Sequence, residues 1–193
     1  MMNRIFLSAS VPRPDRGNFH ETADPFLIQF AVRELMTLTL GRRQIVWGGH
    51  PAITPMIWAI CSDLGVTYSA AVHLFQSRFF SAVFPEENDS FSNVTVVDAV
   101  EGDRSASLAR MRDQMFAGSF DAAVFIGGME GVLEEYELFT RMHPNALVLP
   151  IFAPGGAAQE LAKRLGMTDD RVDFARLFSE ELGISQIERR DQV

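Results

Sequence analysis

The sequence predicts an α/β fold: a three-layer α/β/α domain with a mostly parallel, doubly wound sheet. Two observations carry that prediction. Apolar runs of strand length alternate with amphipathic stretches of helical length, and the runs are apolar throughout, as in strands covered on both faces. Paired glycines follow three of those runs, at Gly48-Gly49, Gly127-Gly128 and Gly155-Gly156. Turns after parallel strands gather at one edge of such a sheet, where ligands bind.

Arg4 to Ala9 reads as the first strand, ending in Ser8-Ala9-Ser10-Val11-Pro12. The small residues and hydroxyls of Ser8 and Ser10 either leave room and donors for a ligand or simply end the strand. Pro12 to Asn18 is a polar loop, with Arg13 and Arg16 over an anion or in solvent. Asp24-Pro25 is a helix start, and Phe26, Leu27, Phe30, Ala31, Leu35 and Leu38 recur at helical spacing until Gly41 ends the helix. Gln44 to Trp47 is a second strand, followed by Gly48-Gly49-His50-Pro51 and a helix to Leu64 that Thr54 caps. His50 either donates to a phosphate or ribose, or caps the turn through backbone.

Ala70 to Phe75 reads as the third strand, with His73 a core residue inside it. Arg78, just beyond, holds an anionic ligand or a solvent-facing ion pair. Pro85 to Ser92 is an acidic loop. Val94 to Val97 is the fourth strand, and Asp103 opens a helix whose Leu108, Met111 and Met115 face the core.

The stretch Asp121 to Glu135 organises the rest. Ala122 to Ile126 is a buried strand, the glycines at 127, 128 and 131 let a ligand approach the main chain, and a helix carrying Leu133, Tyr136 and Phe139 begins at once. Strand, glycine turn and helix N-terminus together make an anion site, with Gly127, Gly128, Met129, Glu130 and Gly131 around a phosphate. The alternative is that these glycines only turn the chain. Ala146 to Ile151 is the sixth strand, and Ala153-Pro154-Gly155-Gly156 leads into a helix from Ala157 to Leu165. A last helix spans Val172 to Leu182, and Glu188 to Val193 reads as a disordered tail. All six strands are expected to be buried, and the three glycine turns to line a single pocket.

One domain is expected over residues 1–193, with its core at about 4–182 and a tail at 183–193. A hydrophobic content of 47% supports a large core, and no run has transmembrane length, so no membrane partner is expected. The opening residues turn polar too early for a secretory signal, and the lone Cys61 suits a reducing compartment, which together predict a cytoplasmic protein. A net charge of −8 argues against nucleic acid as a partner. No pair of histidines sits at metal-ligand spacing with a carboxylate, so no metal site is expected; no cofactor is expected either.

Phe6-Leu-Ser-Ala-Ser-Val-Pro12, Trp47-Gly-Gly-His-Pro51 and Phe125-Ile-Gly-Gly-Met-Glu-Gly-Val-Leu-Glu-Glu135 together resemble the SLOG superfamily. These Rossmann-like domains include the LOG phosphoribohydrolases and the ligand-sensing domains of prokaryotic defence proteins and TRPM channels. The resemblance implies recognition of a nucleotide or nucleotide-derived molecule, such as an ADP-ribose-type signal, by a homo-oligomer or together with a separate effector protein. LOG enzymes carry Pro-Gly-Gly-x-Gly-Thr-x-x-Glu, whose glutamate assists N-glycosidic cleavage. Here Ile126 replaces the proline, Val132 the threonine, and one residue is added before Gly131. Glu135 therefore matches that glutamate counted from Gly131, and Glu134 counted from Gly127. Two functions stay open: a sensor using Glu130 or Glu134 on a ribose hydroxyl, and a nucleoside monophosphate hydrolase using Glu134 or Glu135 with Arg78 on the phosphate.

Overall fold

The computed structural model describes residues 4–190. Six strands, β1 (Arg4–Ser10), β2 (Gln44–Trp47), β3 (Val72–Ser77), β4 (Val94–Val97), β5 (Ala122–Gly127) and β6 (Leu147–Ile151), form one sheet. Every pairing is parallel, in the order β4-β3-β2-β1-β5-β6. Parallel neighbours need crossovers, and helices supply most of them: α1 (Pro25–Thr39), α2 (Thr54–Leu64), α3 (Arg104–Met115) and α4 (Glu130–Met142); α5 (Gly156–Arg164) and α6 (Phe174–Glu181) follow the last strand. Between β3 and β4 the chain instead makes two short 3-10 turns, Arg78–Val83 and Glu86–Ser90. The order reverses between β1 and β5, which opens a crevice at their carboxyl ends.

The strands are apolar throughout because successive side chains enter different cores. Ile5, Leu7 and Trp47 join Leu35, Ile57 and Phe178 under α1, α2 and α6. Phe6, Val46 and Phe125 join Met115, Phe139 and Leu161 under α3, α4 and α5. Phe6 anchors the second core, edge-on to Phe116 at 4.7 Å and stacked with Phe139 at 5.7 Å. Burial is incomplete at the sheet edges, contrary to expectation: Val96 of β4 and Leu147 of β6 are 41% and 39% exposed, since an edge strand has a neighbour on one side only.

Local signals set most boundaries. The Asp24 carboxylate accepts the N–H groups of Phe26 (2.8 Å) and Leu27 (3.1 Å) and starts α1. The buried face is Ile28, Val32, Leu35 and Met36, whereas Phe26 is 84% exposed; the stripe begins two residues later than the spacing from Phe26 predicts. β3 starts at Val72, not Ala70, because Val66–Ala71 is a 3-10 turn. His73, inside β3, bonds Thr95 Oγ1 at 2.9 Å and is only partly buried.

Glu188 to Arg190, expected as a disordered tail, lie against the end of α1. Glu188 pairs with Arg43 at 2.6 Å, and Arg190 donates to the Leu40 carbonyl. Residues 191–193 of that tail, and residues 1–3 of the opening segment, lie outside the described residues. No helix among the described residues is long and apolar enough to cross a membrane.

Cys61 is fully buried in α2, and burial pushes its thiol from 9.0 up to about 12. The sign follows from linkage: this group favours the fold fully below pH 9.0, and that contribution is lost as pH rises through the folded value. A chromogenic disulfide reagent at neutral pH is expected to label Cys61 only after unfolding in urea. Rapid labelling of the folded protein would contradict this burial.

Candidate functional site

A cleft of about 620 Å³ opens at the carboxyl ends of β1, β2 and β3. β1 brings Ser8 and Ser10 to it, the β2–α2 turn brings Gly48, Gly49 and His50, and the start of α4 brings Met129, Gly131 and Glu135. α3 adds Arg112, and β3 ends there at Gln76 and Ser77. Topology makes this meeting, because all these segments follow parallel strands that end on the same edge.

Glu135 and Arg112 form the polar floor. Ser8 Oγ donates to Glu135 Oε2 at 2.6 Å, and Arg112 Nε donates to Glu135 Oε1 at 3.3 Å. Arg112 also donates to Glu134 Oε2 at 2.7 Å and to the Gly131 carbonyl at 3.4 Å. Burial raises the Glu135 carboxyl above the usual range, and the Arg112 charge and the Ser8 hydroxyl offset this only in part. Burial also works against the Arg112 charge, but Glu135 and Glu134 outweigh it, and the guanidinium stays protonated. The cleft thus holds a fixed cation beside a carboxyl suited to proton transfer.

The structure separates the two glutamates that the sequence left equivalent. Consecutive helical residues point about 100° apart, as 3.6 residues per turn require. Glu135 turns inward, its side chain 18% exposed, while that of Glu134 is 61% exposed and outside the cleft lining. Glu130 likewise stands outside, 4.0 Å from Arg16.

His50 both lines the cleft and closes the turn. Its Nδ1 accepts the Ala52 N–H at 3.2 Å, and its carbonyl accepts those of Ile53 and Thr54. Burial lowers its pKa, so the ring is neutral; with Nδ1 accepting, the proton sits on Nε2 as a donor. Thr54 does not cap α2 as expected. It is the first helical residue, and its hydroxyl accepts from the His50 N–H and Trp47 Nε1.

Arg78 is not brought to the cleft; it pairs with Asp98 at 3.0 Å in solvent. The buried arginine is Arg112, which the sequence reading passed over. The available signal was spacing: Arg112 stands four residues after Leu108 and next to Met111, on the edge of the apolar stripe of α3.

Of the three glycine pairs expected to line a single pocket, one does, Gly48-Gly49. Gly127, Gly128, Pro154 and Gly155 lie outside the cleft lining, because the turns after β5 and β6 mesh with each other and with the segment before α1. The Gly128 N–H donates to the Ser10 carbonyl at 2.8 Å, and the Gly128 carbonyl accepts from Ala157 at 3.0 Å. Asp24 donates to the Pro154 carbonyl, and Gly156 N–H donates to Thr22 Oγ1. A Cβ on Gly155, where φ is +76°, would stand 1.8 Å from the Thr22 carbonyl oxygen. Gly155→Ala is therefore expected to lower stability by about 2 kcal/mol or more, from strain plus the backbone clash; an unchanged urea midpoint would contradict the meshing.

What remains at α4 is its first turn. The helix starts at Glu130 with no side chain capping it; the Val132 N–H bonds the Met129 carbonyl at 2.9 Å, and those of Glu130 and Gly131 have no partner among the described residues. Gly131, in that turn, faces the cleft within 3.4 Å of Arg112 Nη2, measured from where its Cβ would be.

An all-parallel sheet, helices on both faces and a ligand-sized cleft at the reversal of strand order define a Rossmann-like domain. The sequence model of the SLOG cluster3 family matches residues 18–182, and the chain belongs to that family. No curated protein and no solved structure matches the chain.

Proposed function

We propose that the cleft binds a nucleotide-derived ligand of the ADP-ribose type and that the domain acts as its sensor. The observation that carries this reading is the uncapped first turn of α4, which opens beside buried Arg112 onto a cleft of about 620 Å³. Unpaired N–H groups and a guanidinium favour a phosphate, and the volume falls within the ordinary range for small-molecule sites. Ser10 and neutral His50 supply donors for a sugar nearby, and Ser8 Oγ, whose proton is committed to Glu135, can still accept. The family supports a nucleotide-derived guest, and the net charge of −8 leaves attraction for an anion to these local groups. Output then passes through a second copy of the chain or a separate effector protein.

One observation favours a second reading, hydrolysis of an N-glycosidic bond in a nucleoside monophosphate. Glu135 is a largely buried carboxyl with a raised pKa, as an acid–base group at a sugar requires. Against it, Ser8 and Arg112 already occupy both of its oxygens, so we rank sensing first. Mass spectrometry of small molecules released on denaturing the purified protein tests the binding reading. A nucleotide-derived species is expected. No such species, together with no thermal shift on adding ADP-ribose or AMP, would overturn it.

A further inference from the structure

One end of the cleft has a different chemistry from the phosphate end. Phe80, Val83 and Phe84, from the connection between β3 and β4, line it together with Leu108 and Met111 of α3. Gln76 stands at the end of β3 beside these groups, next to Ser77, while Arg104 of α3 lies over the Phe80 ring at 5.8 Å. Gln76 is 7% exposed, and its carboxamide makes no hydrogen bond among the described residues. The amide atoms are not among the buried unpartnered ones, so they face the open cleft with both hydrogen-bonding groups uncommitted.

The surroundings hold this carboxamide in place. Gly49 has φ +74°, and a Cβ there would stand 1.8 Å from Gln76 Nε2 and 3.3 Å from Leu74 Cδ1. The amide therefore occupies the space that any side chain at position 49 would take. A polar residue kept at a strand end, against a backbone bare of side chain and facing a cleft, is placed for a ligand.

We propose that Gln76 reads the heterocyclic base of the ligand. A carboxamide offers one donor and one acceptor in a single plane, which matches the edge of a base that presents a donor next to an acceptor, such as adenine. Phe80, Phe84 and Leu108 provide apolar surface for the ring faces. A lipid chain would leave the amide unpaired, whereas a base pairs it and stacks its ring on the apolar wall. This assignment rests on the reading of the cleft as a nucleotide site.

The test is calorimetric titration of the purified chain with ADP-ribose and with ribose 5-phosphate, which lacks the base. Gln76→Met keeps the length of the side chain and removes both hydrogen-bonding groups. The preference of the unaltered protein for ADP-ribose over ribose 5-phosphate is expected to fall about tenfold to a hundredfold in Gln76→Met. An unchanged preference in a protein that still binds ADP-ribose overturns the assignment and leaves the nucleotide site standing. Failure of the unaltered protein to bind ADP-ribose overturns both. If Gln76→Met does not fold, as judged by its melting transition, Gln76→Leu serves for the same comparison.

Discussion

Replacing Arg112 with methionine is expected to lower the unfolding free energy by about 3 kcal/mol near neutral pH, because it strips a partly buried carboxylate of its cation. Arg112 holds Glu135 at 3.3 Å and Glu134 at 2.7 Å. Glu134 stands mostly in solvent and loses little, so Glu135 carries the cost. Its carboxyl, already raised by burial, rises further once the guanidinium is gone. A raised folded pKa means that the folded state holds the proton more tightly, so the penalty is absent below the ordinary value of 4.5 and grows as pH rises above it. The deficit of Arg112→Met relative to the unaltered protein should therefore shrink as pH falls. Adding Glu135→Leu to Arg112→Met should recover much of the loss. Urea unfolding at several pH values measures both effects, and a deficit independent of pH would mean that Glu135 is not the group left exposed.

Gly131→Leu is expected to weaken ADP-ribose binding by at least about a hundredfold while leaving the domain folded. The position takes a side chain without strain. Its φ is not positive, and a Cβ there meets only Arg112 Nη2, at ordinary contact distance of 3.4 Å. The added leucine would then stand over the first turn of α4, where the phosphate is proposed to sit. Gly128→Val makes the contrast. Read from the sequence, that change would block phosphate in a folded protein; in the structure, φ is +80° and a Cβ would lie 2.1 Å from Val132 Cγ2, so it should unfold the domain instead. Near-normal affinity in folded Gly131→Leu would remove the phosphate from this turn.

The fold was legible because apolar runs and glycine turns are local signals. Asp24-Pro25 and Asp103 announced their helices, and the segment Asp121 to Glu135 announced a strand, a turn and a helix in one stretch. The site was legible only in part, for a reason that Gly127-Gly128 and Gly155-Gly156 illustrate. Both pairs look like Gly48-Gly49 in sequence, but only tertiary packing decides whether a bare backbone faces a ligand or another turn. Arg78 and Arg112 teach the same lesson for charge. Arg78 follows a strand and finds Asp98 in solvent, whereas Arg112 lies within a helix that packs on β3 and β4 and brings it against Gly131, Glu134 and Glu135 of α4. Gln76 gave no sequence signal, because an isolated glutamine at a strand end is common, and its lack of a partner shows only once the side chains are placed.

The central claim is that the cleft binds a nucleotide-derived ligand and leaves it intact. Its most direct measurement is titration of the purified chain with ADP-ribose and AMP in a calorimeter, with the recovered solution separated by chromatography to look for free adenine. Saturable binding of ADP-ribose with no adenine released is the predicted result. Absence of binding would contradict the ligand site, and adenine released from AMP and lost in Glu135→Gln would contradict sensing in favour of hydrolysis.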